Sequence, residues 1–460
     1  MSIDLTNTPI LSRRLFLRRG LASVSGFYLL PMVQPLNVQA EEKVKLRGEA
    51  DSCIFIFLVG GASHLDTFDI KEGRWTPPKY DIRTIKPGLV LPYGLFPRLS
   101  DQVDRIAFVR CIEAWESAHN RAQYYLQAGH PPSPARQKEI PSIGAVIAYE
   151  FHHKRKPADF LPPFVAMNYG GGLLIREGCL PDYAVPLALD LKGDVPLIIP
   201  DDEKTAFQRR WGSLQEIEKA ATGGGSSGQL SRQYESFAQS AFRLMSSPRL
   251  SEMLKLQEDD RKRYGSSALG DACILAHRML EADAGTRYIS IAHNNWDLHT
   301  NMFDANAKVN HYTLCSELDN AVSSLVADLA KTKRADGKTL LEKTFIVVMG
   351  EFGRTGGDLT VNKGRDHNRM AGTALFAGAG VKGGRAFGVT DEQGNKIIKP
   401  EWNEPRSIYT EDVVATMYSQ LGIDWTKKIT NTPSGRAFEY VEGISATNFI
   451  NISEISTLFG

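Results

Sequence analysis

The stretch TFIVVMGEFGRTGGDLTVNKGRDHN, residues 344–368, decides the fold class. Its first part, Phe345 to Met349, is a short apolar run that is rich in β-branched residues and shows no polar alternation. Such a run is typical of a strand buried on both faces, as in a parallel sheet covered by helices. The strand stops at Gly350, and charged side chains follow at once. Because ligands bind at the carboxyl edge of open α/β sheets, the stretch predicts an α/β fold with a polar site at that edge.

The side chains that follow this strand are candidates for the site. We expect Glu351 and His367 to bind a metal, because carboxylates and imidazoles are ligands for divalent transition metals. Asp366 is expected to contact the metal directly or through a neighbouring residue. The planar guanidinium of Arg354 matches a tetrahedral oxyanion, so we expect it to hold the substrate.

Two other buried-strand runs also end in histidine and aspartate. CIFIFLV (53–59) is followed by a Gly-Gly turn and then by His64 and Asp66. TRYISI (286–291) is followed by Asp297 and His299, which are two residues apart and point the same way in an extended loop. Each loop alone also fits an ordinary turn with an Asp or Ser cap. Since both residue types recur at each strand end, these four residues join the candidate metal ligands.

A fourth predicted strand, RIAFVRC (105–111), leads to Ser117 and His119 at the start of a helix predicted over 121–127. Free N–H groups and the helix dipole favour negative charge at a helix N-terminus. Ser117 and His119 are therefore candidate catalytic residues. The alternative for Ser117 is that it only caps the helix.

Strands and helices alternate along the chain, which predicts a doubly wound, mostly parallel sheet flanked by helices, with these strand ends on one edge. Ligands of the His, Asp and Glu type without Cys suit Zn²⁺, Mn²⁺ or Fe. The number of candidate ligands is sufficient for two divalent ions. Two ions roughly 3.5–4 Å apart would clamp the attacking and leaving oxygens of an in-line displacement.

Composition excludes several classes of protein. The chain has 54 Lys+Arg and 53 Asp+Glu residues, a net charge of +1, so no basic excess indicates a nucleic-acid partner. The five cysteines are scattered without a Cys-x-x-Cys pair, which argues against a disulfide scaffold. A hydrophobic content of 42% is that of a globular protein rather than a disordered one.

The first 40 residues have the pattern of a twin-arginine (Tat) signal peptide. SRRLFLR (12–18) is followed by an apolar stretch over 20–33 and by a small-residue cleavage pattern, VQA (38–40). The alternative is a chance arginine pair on an amphipathic tail. We expect passage through the Tat translocon, a periplasmic or extracellular location, and no transmembrane helix in the mature chain. Residues 41–460 are predicted to form a single domain, with a helical insertion at about 201–268 that contains a flexible Gly/Ser linker over 222–228.

Six segments span most of the chain after residue 50: GGASHLDTFD (60–69), NNWDLHTN (294–301), LDNAVSSLVADL (318–329), TFIVVMGEFGRT (344–355), GRDHN (364–368) and AGAGVKGG (377–384). With them the chain resembles a Tat-exported family of unknown function that is grouped with sulfatases in the alkaline phosphatase superfamily. The resemblance implies an alkaline phosphatase/sulfatase-like fold, a metal cleft and hydrolysis of phosphate or sulfate esters. It places Glu351 at a metal carboxylate of sulfatases, His367 at a late His or Lys, and His119 near the nucleophile.

Two features depart from the superfamily pattern. The first strand ends in Gly60-Gly61, where the superfamily has a metal-binding Asp, so Asp66 or His64 would have to replace it. The Cys-x-Pro/Ser-x-Arg motif of sulfatases is missing, which argues against formylglycine chemistry. A phosphohistidine at His119, attack by Ser117 and attack by a metal-bound hydroxide all remain open.

The first hypothesis is therefore an exported metal-dependent hydrolase that acts on a small-molecule or polymer ester of phosphate or sulfate. The second is a catalytically degenerate relative that binds an anionic polymer or a partner protein without turnover. The missing Asp and the open choice of nucleophile favour the second. The third is an exported redox metalloenzyme, because sites of His and carboxylate ligands also hold iron.

Overall fold

The computed structural model of the chain describes residues 44–170, 172–191, 202–221, 242, 244–443 and 450–460. The predicted signal peptide (1–40) and the predicted Gly/Ser linker (222–228) lie outside the described residues. Lys45–Gly460 forms one compact unit. No helix in the described part of the chain has the length and apolar character that a membrane span needs.

A large mixed sheet forms the centre of this unit. The strands are β1 Ser52–Leu58, β2 Ile82–Lys86, β3 Leu89–Pro92, β4 Ile106–Ile112, β5 Phe164–Met167, β6 Leu187–Leu189, β7 Tyr288–His293, β8 Thr344–Gly350, β9 Gly353–Arg354, β10 His367–Asn368, β11 Gly372–Ala377, β12 Arg385–Phe387, β13 Val389–Thr390, β14 Ile397–Lys399, β15 Lys428–Ile429 and β16 Phe438–Glu439. Eight of them pair in the order β12-β4-β11-β8-β1-β7-β5-β6.

Within this sheet β11 runs antiparallel to both of its neighbours, β4 and β8. All other pairs in the sheet are parallel. The strands β4, β8, β1 and β7 therefore run in one direction, and their carboxyl ends meet at one edge. The predicted α/β class with a mostly parallel sheet is confirmed.

The apolar strands are central because both of their faces are covered. All seven residues of β1 are buried, and Ile54, Ile56 and Leu58 on one face share a core cluster with helical leucines. The helices are α1 Pro97–Ser100, α2 His119–Ala128, α3 Ile143–Phe151, α4 Lys204–Ala221, α5 Pro248–Leu254, α6 Glu258–Tyr264, α7 Ala268–Glu281, α8 His311–Lys331 and α9 Thr410–Gln420.

Helix α8 shows why the sequence folds locally as it does. The side chains of Asn310 and Thr313 accept each other's backbone N–H groups at 3.0 and 3.2 Å, which caps the helix start. Leu314, Leu318 and Leu325 recur at helical spacing and are buried in the core.

The long loop after β8 is more ordered than its glycine content indicates. β9 and β10 form a two-stranded antiparallel ribbon in which Arg354 pairs with His367. This ribbon returns the chain toward the end of β8. The ribbon brings the second half of the loop, including His367, back to the carboxyl edge of the sheet.

Candidate metal centre

Four side chains converge at that edge: His119, Asp297, His299 and His367. One ligand atom from each lies within 4.8 Å of the other three. His119 is the first residue of α2 after β4, Asp297 and His299 follow β7, and His367 lies in β10 after β8. Three strand ends therefore supply the cluster, as the sheet topology requires.

The Oδ1 atom of Asp297 is the centre of the cluster. It lies 2.9 Å from Nε2 of His299, 3.1 Å from Nε2 of His119 and 3.5 Å from Nε2 of His367. The Nε2 atoms of His299 and His367 are 2.9 Å apart. A tetrahedral ion with ligands at about 2.0–2.2 Å keeps its ligand atoms about 3.3 Å from one another. The three distances from Oδ1 of Asp297 and the one between His299 and His367 are close to this spacing, and all four ligand atoms lie within 4.8 Å of one another.

The opposite ring nitrogen of each histidine is anchored to an oxygen. Nδ1 of His119 lies 2.7 Å from the Glu351 carboxylate, and Nδ1 of His299 lies 3.1 Å from the Asp366 carboxylate. Nδ1 of His367 lies 2.7 Å from the carbonyl oxygen of Ser117. An oxygen acceptor requires a proton on Nδ1, which leaves a lone pair on Nε2. Metal-binding histidines are anchored in this way by carboxylates and carbonyls.

The donor set therefore fits a divalent transition metal. Three imidazole lone pairs face one carboxylate oxygen, and Nε2 of His119 has no hydrogen-bond partner among the described residues. With neutral imidazoles, the three carboxylates Asp297, Glu351 and Asp366 outweigh the guanidinium of Arg354, which contacts Asp297, by two charges. A divalent cation would satisfy the lone pairs and balance this charge.

Glu351 is held more firmly than Asp366. Its side chain has 0% exposure, whereas that of Asp366 is 66% exposed. The Glu351 carboxylate also accepts the backbone N–H of Gly60 at 2.9 Å and the amide of Gln123 at 2.9 Å. The sequence predicted both acids as metal ligands or neighbours of ligands. In the structure each contacts the Nδ1 atom of a cluster histidine, on the side of the ring away from the Asp297 oxygen.

Arg354 lies beside the cluster and is 2% exposed. Each of its five N–H groups has an acceptor. Nε donates to the carbonyl of Gly61 at 2.9 Å, and Nη1 donates to the carbonyl of Arg365 at 3.0 Å and to Nε2 of His299 at 3.3 Å. Nη2 donates to Oδ1 of Asp297 at 2.5 Å and to the carbonyl of Gly60. All of its donors are used within the protein. The sequence prediction that Arg354 holds a substrate oxyanion requires at least one of these bonds to be exchanged.

The turn after β1 must be glycine for this arrangement to form. Gly60 has φ +108°, and a Cβ atom there would lie 2.4 Å from the backbone nitrogen of Asp297. Gly61 has φ +71°, and its Cβ would lie 2.8 Å from the carbonyl oxygen of Phe352. Both positions disfavour any other residue, since the backbone is left-handed and the loops after β7 and β8 approach closely.

The ionisation of the cluster also suits a metal site. Burial raises the pKa of Asp297, but the hydrogen bond and charge of Arg354 outweigh burial and bring that pKa to about 2. Burial and the charges of Arg354 and His119 lower the pKa of His367. Burial lowers the pKa of His119, yet the hydrogen bond and charge of Glu351 outweigh it and raise the pKa above its ordinary value. The pKa shifts of Asp297 and His367 therefore favour the forms of these side chains that can bind a metal.

The other two predicted ligands lie in a separate buried network. Asp66 is paired with Arg365 at 2.6 Å, and both side chains have 1% exposure. His64 is buried as well, with Nε2 2.6 Å from the carbonyl of Gly394 and Nδ1 3.3 Å from the backbone nitrogen of Arg354. Burial lowers the pKa of His64. The structure thus places His64 and Asp66 as supports of the loop after β8 rather than in the four-residue cluster.

The two candidate nucleophiles are placed differently. Ser117 is exposed, and its carbonyl anchors His367. The alternative that Ser117 caps the helix is not observed, because Ala118 is the N-cap residue of α2 and no side-chain cap is formed. His119 was predicted as catalytic, and the structure puts it in the cluster itself. Its position directly after a strand end was the available signal for a ligand.

The fold and the cluster together define an α/β protein with a candidate centre for one divalent metal. The chain belongs to the family described as "Protein of unknown function (DUF1501)", whose model matches residues 50–449. No curated protein matches the chain significantly in sequence.

Solved structures with a similar chain path are those of sulfatase-like proteins. One is a protein in the alkaline phosphatase superfamily from Vibrio parahaemolyticus, with a TM-score of 0.37 and 11% identity over 83% of this chain and 69% of that chain. Another is a sulfatase from Pseudoalteromonas sp., with a TM-score of 0.38 and 10% identity over 82% of this chain and 68% of that chain. A third is a phosphonate monoester hydrolase from Silicibacter pomeroyi, with a TM-score of 0.34 and 11% identity over 81% of this chain and 73% of that chain. These likenesses concern the path of the chain and say nothing of its activity.

Proposed function

We propose that this protein is an exported hydrolase of phosphate or sulfate esters that depends on a single divalent transition metal. The metal would be held by His119, Asp297, His299 and His367. The observation that supports this proposal is that the three Nε2 atoms meet at one Asp297 oxygen while each Nδ1 is anchored to another oxygen. The proposal replaces the two ions expected from the sequence by one.

Zn²⁺, Mn²⁺ or Fe bound there would supply Lewis acidity toward an ester oxygen. The residues of the chain hold the centre in place: Glu351 and Asp366 fix the tautomer of two histidines, and the Ser117 carbonyl fixes the third. Nδ1 of His119 is held by Glu351 and its Nε2 faces the Asp297 oxygen, so we assign this residue to metal binding rather than to a phosphohistidine.

The start of α2 supports an anionic substrate. The helix begins at His119 within the cluster, and its N-cap residue, Ala118, provides no side-chain cap, although Oδ1 of Asn120 accepts the N–H of Arg121 at 2.9 Å. Free N–H groups and the positive end of the helix dipole therefore lie beside the site. A phosphate or sulfate ester carries the charge that this arrangement favours.

The exposed hydroxyl of Ser117 is two residues before His119 and is the side-chain nucleophile that we propose. The alternative nucleophile is water. Ser117→Ala separates the two, because it removes the hydroxyl and keeps the carbonyl that anchors His367. Loss of turnover with normal metal content would assign the attack to Ser117, and retained turnover would assign it to water.

The proposal is tested by elemental mass spectrometry of the protein purified without a His tag. One equivalent of Zn, Mn or Fe is expected in the wild type, with turnover of an aryl phosphate or aryl sulfate. Asp297→Ala should lose both the metal and the turnover. Asp358→Asn is the control, because Asp358 lies in the loop that also carries His367 but pairs with the exposed Arg74. A folded wild type that cannot be loaded with metal would refute the proposal.

The second candidate, a binding scaffold for an anionic polymer or a partner protein, rests on the saturated donors of Arg354. Four of its N–H groups donate to protein oxygens, and only the one that faces Nε2 of His299 would be released when that nitrogen binds the metal. A fully loaded protein that turns over neither ester class, yet binds a polyanion, would favour the scaffold.

A further inference from the structure

Arg354 is unusual because it is a buried cation directly beside the proposed metal centre. The sequence gives Gly60-Gly61 at the end of β1, with no carboxylate of its own for a metal. In the structure the guanidinium of Arg354 fills this position, on the carbonyl oxygens of Gly60 and Gly61. We propose that Arg354 is a built-in second cation of the centre, which makes the centre mononuclear. This inference rests on the proposed function.

The acceptors around Arg354 are those of a hard cation. Three backbone carbonyls (Gly60, Gly61 and Arg365) and one carboxylate oxygen (Asp297) face the guanidinium. Oxygen atoms of this kind bind Mg²⁺, Ca²⁺ and Mn²⁺ in proteins. Without Arg354, a water-poor gap lined by four oxygens would remain, and it would attract another cation.

The same Asp297 oxygen serves both cations. Oδ1 of Asp297 lies 2.5 Å from Nη2 of Arg354 and within 3.5 Å of the three Nε2 atoms. Arg354 therefore orients the carboxylate that the proposed metal shares, as a second ion does when a carboxylate bridges two metals. Unlike an ion, the guanidinium belongs to the chain and is never lost to solution, and its four hydrogen bonds to oxygen atoms do not compete with a metal on Nε2 of His299.

Arg354 is thus a positioning residue that acts through Asp297, not a substrate contact. Because its charge is part of the chain, the centre has one exchangeable ion and its occupancy depends on one metal equilibrium. The inference predicts simple one-site metal binding in the wild type, with no second, weaker site in the millimolar range.

The test compares metal binding by the wild type, Arg354→Ala and Arg354→Lys, measured by equilibrium dialysis with Mn²⁺ and elemental analysis. The wild type is expected to bind one equivalent. Arg354→Ala is expected to bind a second equivalent, and guanidinium chloride at non-denaturing concentration should displace it by occupying the same gap. Arg354→Lys keeps a charge at this position and is expected to stay at one equivalent.

Arg110→Ala is the matched control, since Arg110 is another largely buried arginine, which donates to the carbonyl of Phe68 outside the cluster. It should bind one equivalent with no response to guanidinium. Two equivalents in the wild type would overturn the inference and leave the proposed hydrolase standing. One equivalent in both the wild type and Arg354→Ala, unaffected by guanidinium, would also overturn it. No metal in the folded wild type would refute the proposed function itself. If Arg354→Ala does not fold, the number of metal equivalents bound by the wild type and by Arg354→Lys still tests the inference. A second equivalent in either protein would contradict a built-in cation.

Discussion

Glu351 and Asp366 anchor two histidines of the cluster in the same way, but they differ in burial. Glu351 lies 2.7 Å from Nδ1 of His119 with a side-chain exposure of 0%, and Asp366 lies 3.1 Å from Nδ1 of His299 with an exposure of 66%. Carboxylates behind metal-bound histidines affect metal affinity by about 10–100-fold, or about 1.4–2.8 kcal/mol. Water screens an exposed carboxylate strongly and a buried one weakly.

We therefore predict unequal effects of two isosteric changes. Glu351→Gln removes a buried charge and turns an amide group toward the N–H of Gly60, so metal affinity should fall by about 100-fold. Asp366→Asn removes a screened charge, so affinity should fall by about tenfold or less. The assay is competition with a chromophoric chelator, with the unfolding temperature of the metal-free proteins measured in parallel.

Asp358→Asn is the matched control, since it removes an exposed carboxylate from the same loop without a contact to the cluster. Its metal affinity should equal that of the wild type. If Asp366→Asn weakened metal binding as much as Glu351→Gln did, burial would not set the strength of these anchors. If neither change weakened binding, the histidines would not be the ligands.

Three further predictions concern stability and metal removal. Arg365→Met leaves Asp66 as a buried unpaired charge, so the free energy of unfolding in urea should fall by about 3–5 kcal/mol. Asp66→Asn should keep one metal equivalent, because Asp66 lies outside the cluster. Burial raises the pKa of Glu411 to about 6 from 4.5, so its contribution to stability is full below pH 4.5 and is lost as the pH rises through 6. Glu411→Gln should therefore abolish a loss of about 2 kcal/mol in urea unfolding between pH 4.5 and pH 7, and an unchanged pH profile would contradict this. Removal of the metal with a chelator should lower the unfolding temperature of the wild type, because an ion at 100 times its Kd stabilises the fold by about 2.7 kcal/mol, and Asp297→Ala should show no such response.

The sequence predicted the sheet well because a strand buried on both faces has a local signature. The apolar runs at β1, β4, β7 and β8 were located within about two residues of their observed bounds. Parallel strands joined by helices must place their carboxyl ends together, so the edge that holds the candidate site followed from chain order.

The roles of individual residues at this edge did not follow from the sequence. Asp66 and Asp297 look alike, because each comes after a buried strand and has a histidine two residues away. In the structure Asp66 is paired with Arg365 in a closed network, while Asp297 contacts Arg354 and faces three imidazoles. The difference lies in distances between loops that are far apart in sequence, for which the two patterns give no local signal.

Arg354 and Arg365 were the harder residues to interpret. Both occur in a Gly-rich loop, where arginines are usually solvated, and both are nearly completely buried. Their acceptors are mostly backbone carbonyls, and because every residue has a carbonyl, the residue types do not indicate which ones accept. Only the close approach of these loops, made possible by glycine at 60 and 61, brings the carbonyls into reach.

The members of the cluster and their anchors are distant along the chain. His119 and Glu351 are 232 residues apart, and His299 and His367 are 68 residues apart. Closing such long loops is entropically unfavourable, and contacts of this kind form late in folding. Of the four residues of the cluster, only Asp297 and His299 are close neighbours along the chain. An ion at the proposed centre would therefore be captured after β4, β7 and β8 have taken their places, so the compartment in which the chain folds would decide which metal it receives.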